Sequence, residues 1–319
     1  MNWLESQIPF ILSLQEIGAL KMFMRLITLL GNEEFFLLMI PLVYLCVNRH
    51  VGAKLGLIVI LCDALNSLLK MAFHQPRPYW TDTRVQPLST DTSYGLPSSH
   101  AQNAAAIWFF LARERGKKPL YFLAALLVAL IALSRIYLGV HFPTDVLGGM
   151  LIGFAFLWTF LRLYPRAAQR YSGQRLAGQI AISFGAALLL VMLGLIVRAL
   201  PLGEAATAAW APMASDAGSL KAIVGRAGAL CGLGIGLALM QRHARFRADG
   251  PLGLRVARFV LGLVGVLICW RGLAMVFPKN PENVELFFRF ARYALLTFWV
   301  SFGAPLLFLK TGLAARDER

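Results

Sequence analysis

Charge is scarce in this chain. Of its 319 residues, 15% are Asp, Glu, Lys or Arg, against roughly 25% in an average soluble domain. That leaves too little polar surface to coat several apolar helices, so an ordinary soluble α-protein is excluded. Cysteine is sparse as well. Cys46, Cys62, Cys231 and Cys269 lie in or at the edges of apolar runs and none forms a CxxC pair, so neither a zinc site nor a redox motif is suggested. Small buried hydrophobes are their expected role. The sequence lacks a P-loop or any other nucleotide motif, which argues against a pump or kinase, and it has no Asp/Glu-rich metal cage. A basic n-region and a small-residue cleavage site are missing at the N-terminus, so no signal peptide is expected. Period-two alternation is missing too, which favours helices over a barrel.

What is present is apolar sequence in long runs. Hydrophobic residues make up 58% of the chain and the mean hydropathy is +0.64. The runs are about 17–25 residues long, the length that carries a helix across a hydrocarbon core of roughly 30 Å. A backbone in lipid must satisfy its own hydrogen bonds, which a helix does. The expected segments are 28–47, 51–72, 101–112 with its flanks, 119–138, 143–163, 178–200, 219–240, 256–277 and 286–309: nine, give or take one. Segment 101–112 is preceded by polar sequence, so its helix should line a polar site with its first turns. Residues 8–26, interrupted by Glu16, Lys21 and Arg25, read as an amphipathic interfacial or re-entrant helix. Pro165 should end the run that precedes it. The fold class is all-α, a polytopic transmembrane bundle.

The net charge of +15 does not point to nucleic acid, because the basic residues cluster between apolar runs. Arg49 and Lys54, then Arg113–Lys118, Arg162–Arg175, Arg242–Arg255 and Lys310–Arg319 fall on alternate connections. That side should be cytoplasmic. The opposite connections carry Glu204, Asp216, Glu282 and Glu285 and should face the periplasm or the outside. The expected location is an inner (plasma) membrane.

Three polar stretches fall at that outer side: Lys70–Pro78 (KMAFHQPRP), Tyr94–Asn103 (YGLPSSHAQN) and Ser134–Asp145 (SRIYLGVHFPTD). Ionisable residues at a membrane edge are functional candidates by default. Lys70, Arg77 and Arg135 supply three cations, and arginine can clamp an oxyanion through two parallel donors. Ser98 and Ser99 precede a helical run, where hydroxyls and backbone N–H groups can meet an anion or simply cap the helix. His100 and His141 can act as acid, base or nucleophile. Asp145 follows His141 by four residues, so the two share a face of a helical turn, and a carboxylate there can hold the imidazole tautomer. Taken singly, each group has a plain structural reading: snorkelling cations, a capped helix start, an outer-face ion pair, and glycines (Gly139, Gly148, Gly149) that permit close packing. Together, three cations around two imidazoles and a carboxylate fit phosphoryl transfer without a metal. A transporter or flippase that binds a phosphate lipid without hydrolysing it, and a lipid phosphotransferase, are the competing readings.

The three stretches resemble the signature motifs of the type 2 phosphatidic acid phosphatase superfamily, which also includes vanadium haloperoxidases and bacterial acid phosphatases. A lysine, six residues and Arg-Pro matches Lys70, Arg77 and Pro78. Pro-Ser-Gly-His matches Pro97, Ser98 and His100, with Ser99 in place of the commoner glycine. Ser-Arg, five residues, His, three residues, Asp matches Ser134, Arg135, His141 and Asp145. The fragment from Asn48 to Trp80 also resembles the sphingosine-1-phosphate-phosphatase-like branch. The resemblance implies a six-helix core within 28–200, a leading segment 1–27 and a C-terminal transmembrane extension 201–319 without a recognisable motif. It further implies His141 as the nucleophile of a phosphohistidine intermediate, Asp145 as its orienting carboxylate and His100 as the acid. Lys70, Arg77, Ser98, Ser99 and Arg135 would hold the phosphoryl oxygens. The implied substrate is a membrane lipid phosphate or polyprenyl pyrophosphate, with no metal and no cofactor.

Overall fold

The computed structural model describes residues 3–89, 91–200 and 217–317. Glu204, Asp216 and Arg319 lie outside the described residues. Among those described the chain is helical throughout, with one isolated antiparallel bridge between Phe246 and Arg316. The helices are α1 (Ile8–Gln15), α2 (Lys21–Thr28), α3 (Glu33–Cys46), α4 (Arg49–Phe73), the single turn α5 (Pro78–Thr81), α6 (Ser99–Arg115), α7 (Lys118–Tyr137), α8 (Pro143–Ser172), α9 (Leu176–Arg198), α10 (Lys221–His243), α11 (Leu252–Leu267), the single turn α12 (Leu273–Val276), α13 (Glu282–Phe298) and α14 (Ala304–Lys310). Seven are long and apolar enough to cross a membrane, once α11 is joined to α12 and α13 to α14; an eighth is the bent pair Gly18–Gly31 and Glu33–Cys46. The protein is a multi-pass membrane protein.

Three expectations change. The apolar run 28–47 is not one straight helix: the chain turns at Leu29–Gly31 and bends by 51° before α3. Pro165 does not end α8, which continues to Ser172. Proline removes one N–H and crowds one carbonyl, a local loss that α8 runs past with Pro165 on its exposed face. The runs near 268 and 299 each pass through a π turn, Ile268–Gly272 and Trp299–Gly303. Segment 101–112 forms a helix, but α6, 17 residues long, is not among the helices long and apolar enough to cross a membrane; it begins with its polar residues Gln102 and Asn103 buried, as expected.

Two compact units divide the chain. The first comprises Met1–Phe35, Leu65–Phe160 and Gly194–Ser219. Its interior is built where α6 meets α7, with Ala104 and Ala105 against Val128 and Ile131. Small residues let these helices approach closely. Gly149 of α8 shows how closely: a Cβ there would lie 2.5 Å from the Ser98 carbonyl oxygen. The segment bearing Ser98 is thus pressed onto the first turns of α8.

The second unit comprises Phe36–Ala64, Leu161–Leu193 and Leu220–Arg319. Its core joins Tyr44, Leu45, Phe246, Val266, Val300 and Phe308, and Gly225, Gly228, Gly232 and Gly236 of α10 face α13 and the π turn after it at close range. Arg258, fully buried, donates to the carbonyls of Arg247, Ala248 and Asp249 at 2.6, 2.9 and 2.8 Å. A guanidinium in an apolar bundle is tolerated when its donors are filled in this way.

Candidate active site

Every sequence-predicted site residue falls in the first unit, at helix ends. Lys70 sits in the last turn of α4 and Arg77 just before α5. Ser98 precedes α6, Ser99 opens it and His100 follows. Arg135 lies in the last turn of α7, His141 in the connection, and Asp145 in the first turn of α8. Backbone hydrogen bonds stitch the three stretches together. Gly95 N–H donates to the Gln75 carbonyl at 2.8 Å, and Ser98 N–H to the Asp145 carbonyl at 3.0 Å. Asn66 of α4 adds a bond from Nδ2 to the Pro97 carbonyl, 3.2 Å. The chain leaves α4 through His74, whose φ of 51° is a left-handed conformation uncommon outside glycine.

Lys70, Arg77, Ser98, Arg135, His141 and Asp145 are all buried. Arg77 is held on every side. Its Nε donates to the Ser93 carbonyl at 2.6 Å, Nη1 to the Val140 carbonyl at 2.8 Å, and Nη2 meets the Asp91 carboxylate at 2.7 Å. Lys70 Nζ donates to Ser93 Oγ at 3.0 Å and to the Tyr94 carbonyl at 2.6 Å. The loop Asp91–Tyr94 is therefore wrapped around both cations. Burial alone would push the Asp91 carboxyl up, but Arg77 and Lys70, with the Ser93 amide and hydroxyl, hold it below the usual carboxylate range. Asp91 is ionised at neutral pH.

The proton on His141 can be placed from its neighbours. Nδ1 faces Asp145 Oδ2 at 3.4 Å, and Nε2 faces Arg77 Nη1 at 3.4 Å. A carboxylate accepts and a guanidinium only donates, so Nδ1 carries the hydrogen and Nε2 the lone pair. Burial, then the charges of Arg77, Lys70, Arg135 and His100, keep the His141 pKa well below its ordinary 6.5. Asp145 is itself fixed: Oδ2 accepts from Phe142 N–H at 2.9 Å and Oδ1 from Gln75 Nε2 at 2.5 Å.

His100 pairs through Nε2 with Asn32 Oδ1 at 2.8 Å. Arg135 Nη1 donates to Thr28 Oγ1 at 2.7 Å. A Cβ on Gly31 would lie 2.8 Å from the His100 ring, so the glycine in the bend before α3 is what lets that imidazole seat. Of the seven buried polar side-chain atoms without a hydrogen-bond partner among the described residues, three belong to motif residues of this site: Ser98 Oγ, His100 Nδ1 and Arg135 Nε. Ser98 does not cap α6 with its side chain, so the capping reading fails. Ser99 is half-buried. Among the described residues no group of three His, Cys, Asp or Glu side chains is arranged to hold a metal ion.

Sequence reasoning missed Asp91, Ser93, Gln75, Asn32 and Thr28. The signal that pointed to one of them was weak: Gly31 and Asn32 interrupt an otherwise apolar run. Nothing in the spacing marked the others.

Two family models match the chain: the PAP2 superfamily over residues 52–169, and the PAP2 superfamily phosphatase, transmembrane extension, over 224–316. The second covers the part that carries no motif. Among relatives, the phosphatidylglycerophosphatase B of Bacillus subtilis is 33% identical, over 43% of this chain and 65% of its own length. A probable sphingosine-1-phosphate phosphatase of Dictyostelium discoideum is 28% identical, over 46% and 40%. The glucose-6-phosphatase catalytic subunit 1 of Felis catus is 29% identical, over 81% and 79%. The chain thus spans less than two thirds of the first two relatives' lengths. A crystal structure of a transmembrane PAP2 type phosphatidylglycerolphosphate phosphatase from Bacillus subtilis aligns with 28% identity and a TM-score of 0.44, over 52% of this chain and 88% of that one. With both the region of the three motifs and the C-terminal helices matched by models of that superfamily, the chain belongs to the PAP2 superfamily.

Proposed function

We propose that this protein hydrolyses a phosphate ester or pyrophosphate on a membrane lipid through a phosphohistidine intermediate, without a metal. The observation that carries the reading is the trio of partnerless buried atoms, Ser98 Oγ, His100 Nδ1 and Arg135 Nε, on residues drawn from two separate motifs. A buried polar atom left unpaired is costly, and a phosphoryl group supplies acceptors for all three, the imidazole donating once protonated.

The lone pair on His141 Nε2 attacks phosphorus in line, forming the P–N bond as the P–O bond to the lipid breaks. Asp145 stabilises the positive imidazole through Nδ1–H. His100, protonated as the anionic substrate arrives, passes the Nδ1 proton to the leaving oxygen. In the second step neutral His100 takes a proton from water, whose oxygen attacks phosphorus. The P–N bond breaks, inorganic phosphate leaves, and His100 is again protonated. Lys70, Arg77, Arg135, Ser98 and the Ser99 backbone N–H meet the equatorial oxygens, where charge gathers in the transition state. The site opens on the outer or periplasmic face of an inner membrane, with the basic loops cytoplasmic, following the alternation of basic connections. Residues 28–200 form the catalytic core.

A second reading concerns the substrate alone. The relative matched over the most of this chain's length among those named above is a glucose-6-phosphatase, so a water-soluble sugar phosphate is the competing substrate class. Phosphate release from phosphatidylglycerophosphate, phosphatidate, sphingoid-base phosphate, a polyprenyl pyrophosphate and a hexose phosphate, with and without EDTA, tests both points. Release from a lipid substrate, unaffected by EDTA and abolished in a folded His141→Ala variant, is the expected result. Undiminished turnover by that variant overturns the mechanism, and release from the hexose phosphate alone overturns the lipid assignment. Lipid movement without release would make the protein a transporter.

A further inference from the structure

The second unit contains cations that the proposed chemistry does not use. Arg289 and Arg292 lie seven and ten residues into α13 (Glu282–Phe298), which is about 10 and 15 Å along the helix axis. Both are half-buried. They line a cavity of about 230 Å³ with Lys279, Phe277, Pro278 and Phe288, at the end where α12 turns into α13.

Among the described residues, neither guanidinium is answered by a carboxylate. Arg289 donates Nε to the Lys221 carbonyl at 2.7 Å and stands over the Tyr293 ring at 5.5 Å. Arg292 stands over the same ring at 5.1 Å, and its buried Nε has no hydrogen-bond partner. Glu285 also lines the cavity, but its carboxylate is paired with Lys221 Nζ at 3.1 Å. Arg258 in the same unit makes the contrast: it fills its donors with three backbone carbonyls. A charge in an apolar bundle normally pairs or faces a polar ligand. Here three cations converge on one small chamber.

The chamber's walls say what the ligand is like. Phe277 and Phe288 stack at 4.7 Å between centroids and form an apolar side. Met275, Val276 and Phe287 beside it are 81%, 79% and 66% exposed, an apolar surface suited to acyl chains. The volume is below the roughly 300–1,000 Å³ of a site that engulfs a drug-sized molecule, so it takes a headgroup and leaves the tails outside. We infer that Arg289 and Arg292, with Lys279, form a phosphate-binding site for the headgroup of an anionic membrane phospholipid. This site is separate from the histidine centre and does not depend on its chemistry. Arginine forks suit the two free oxygens of a phosphodiester, and the ligand would complete Arg292 Nε.

The test uses the full chain, purified in a neutral detergent. Phosphatidylglycerol, phosphatidylcholine and inorganic phosphate are titrated separately while bound phospholipid is counted by native mass spectrometry and the thermal midpoint is followed. Phosphatidylglycerol should bind and raise the midpoint of the wild type, and phosphatidylcholine should do so far less. With the charge-assisted hydrogen bonds of both forks lost, Arg289→Gln with Arg292→Gln should raise the half-saturating lipid concentration at least tenfold. Arg289→Lys with Arg292→Lys keeps the charge and loses the fork, and should fall between. If the glutamine pair does not fold, Lys279→Gln with Arg292→Lys provides the same comparison. Equal half-saturation in wild type and variants overturns the site. A midpoint rise from inorganic phosphate that matches the phosphatidylglycerol rise and is lost in the glutamine pair overturns the headgroup assignment.

Discussion

Asp91→Asn should make this protein bind phosphate-like oxyanions more tightly. The Asp91 carboxylate lies 2.7 Å from Arg77 Nη2, on the guanidinium assigned to the phosphoryl group. An oxyanion on Arg77 would sit about 5 Å from that carboxylate. Two like charges at that distance repel by roughly 3 kcal/mol at an effective dielectric of 20. The Asp91 side chain is 27% exposed, so solvent screening reduces the repulsion to about 1–2 kcal/mol, or roughly five- to thirtyfold in affinity. The substitution should not unseat Arg77, which keeps the Ser93 and Tyr94 carbonyls, Ser93 Oγ and the Val140 carbonyl as acceptors. Asparagine also keeps an oxygen for the Ser93 amide and hydroxyl, now at 3.0 and 2.8 Å from Asp91 Oδ1. The assay is orthovanadate and phosphate binding, read as inhibition of turnover and independently as thermal protection, at fixed ionic strength. A dissociation constant that stays the same or rises would refute the reasoning: Asp91 would then serve to position Arg77 for its ligand and not to compete with it.

Further outcomes follow from the same geometry. The His141 pKa is held below 6.5, first by burial and then by the cations around it, so its nucleophilic form persists as pH falls and is lost only below that value. The acid limb of kcat/KM should therefore lie below pH 6.5, and a limb centred above it counts against His141 as nucleophile. Asn32→Ala releases His100 Nε2 from its 2.8 Å partner and should lower kcat by roughly tenfold or more with little change in KM; an unchanged kcat separates Asn32 from the reaction. Gly149→Ala drives a Cβ to 2.5 Å from the Ser98 carbonyl oxygen, a backbone atom that cannot swing away. It should cost about 1–3 kcal/mol of stability and reduce turnover, both checked by thermal unfolding and steady-state rates. A variant as stable and active as wild type would mean that α8 can shift away from Ser98.

Membrane class and the residues of the three motifs could be read from the sequence alone, for a physical reason. Crossing a bilayer is a property of composition over about twenty consecutive residues, so the apolar runs identify themselves. The motif residues identify themselves too, because histidines, arginines and a carboxylate are out of place at the edge of apolar runs and their short spacings fix which helix end each occupies. Tertiary structure decided the rest. Asp91 and Ser93 look like ordinary loop polars until the loop folds back onto Arg77 and Lys70. Asn32 and Thr28 gain meaning only when the bend after Leu29–Gly31 brings them to His100 and Arg135. The bend itself and the two π turns depend on which neighbour each helix packs against, and window hydropathy is blind to that. Arg289 and Arg292 show the same limit. Their place within apolar sequence was visible, but whether they reached outward to headgroups or inward to a shared chamber depended on how α12 and α13 close around them.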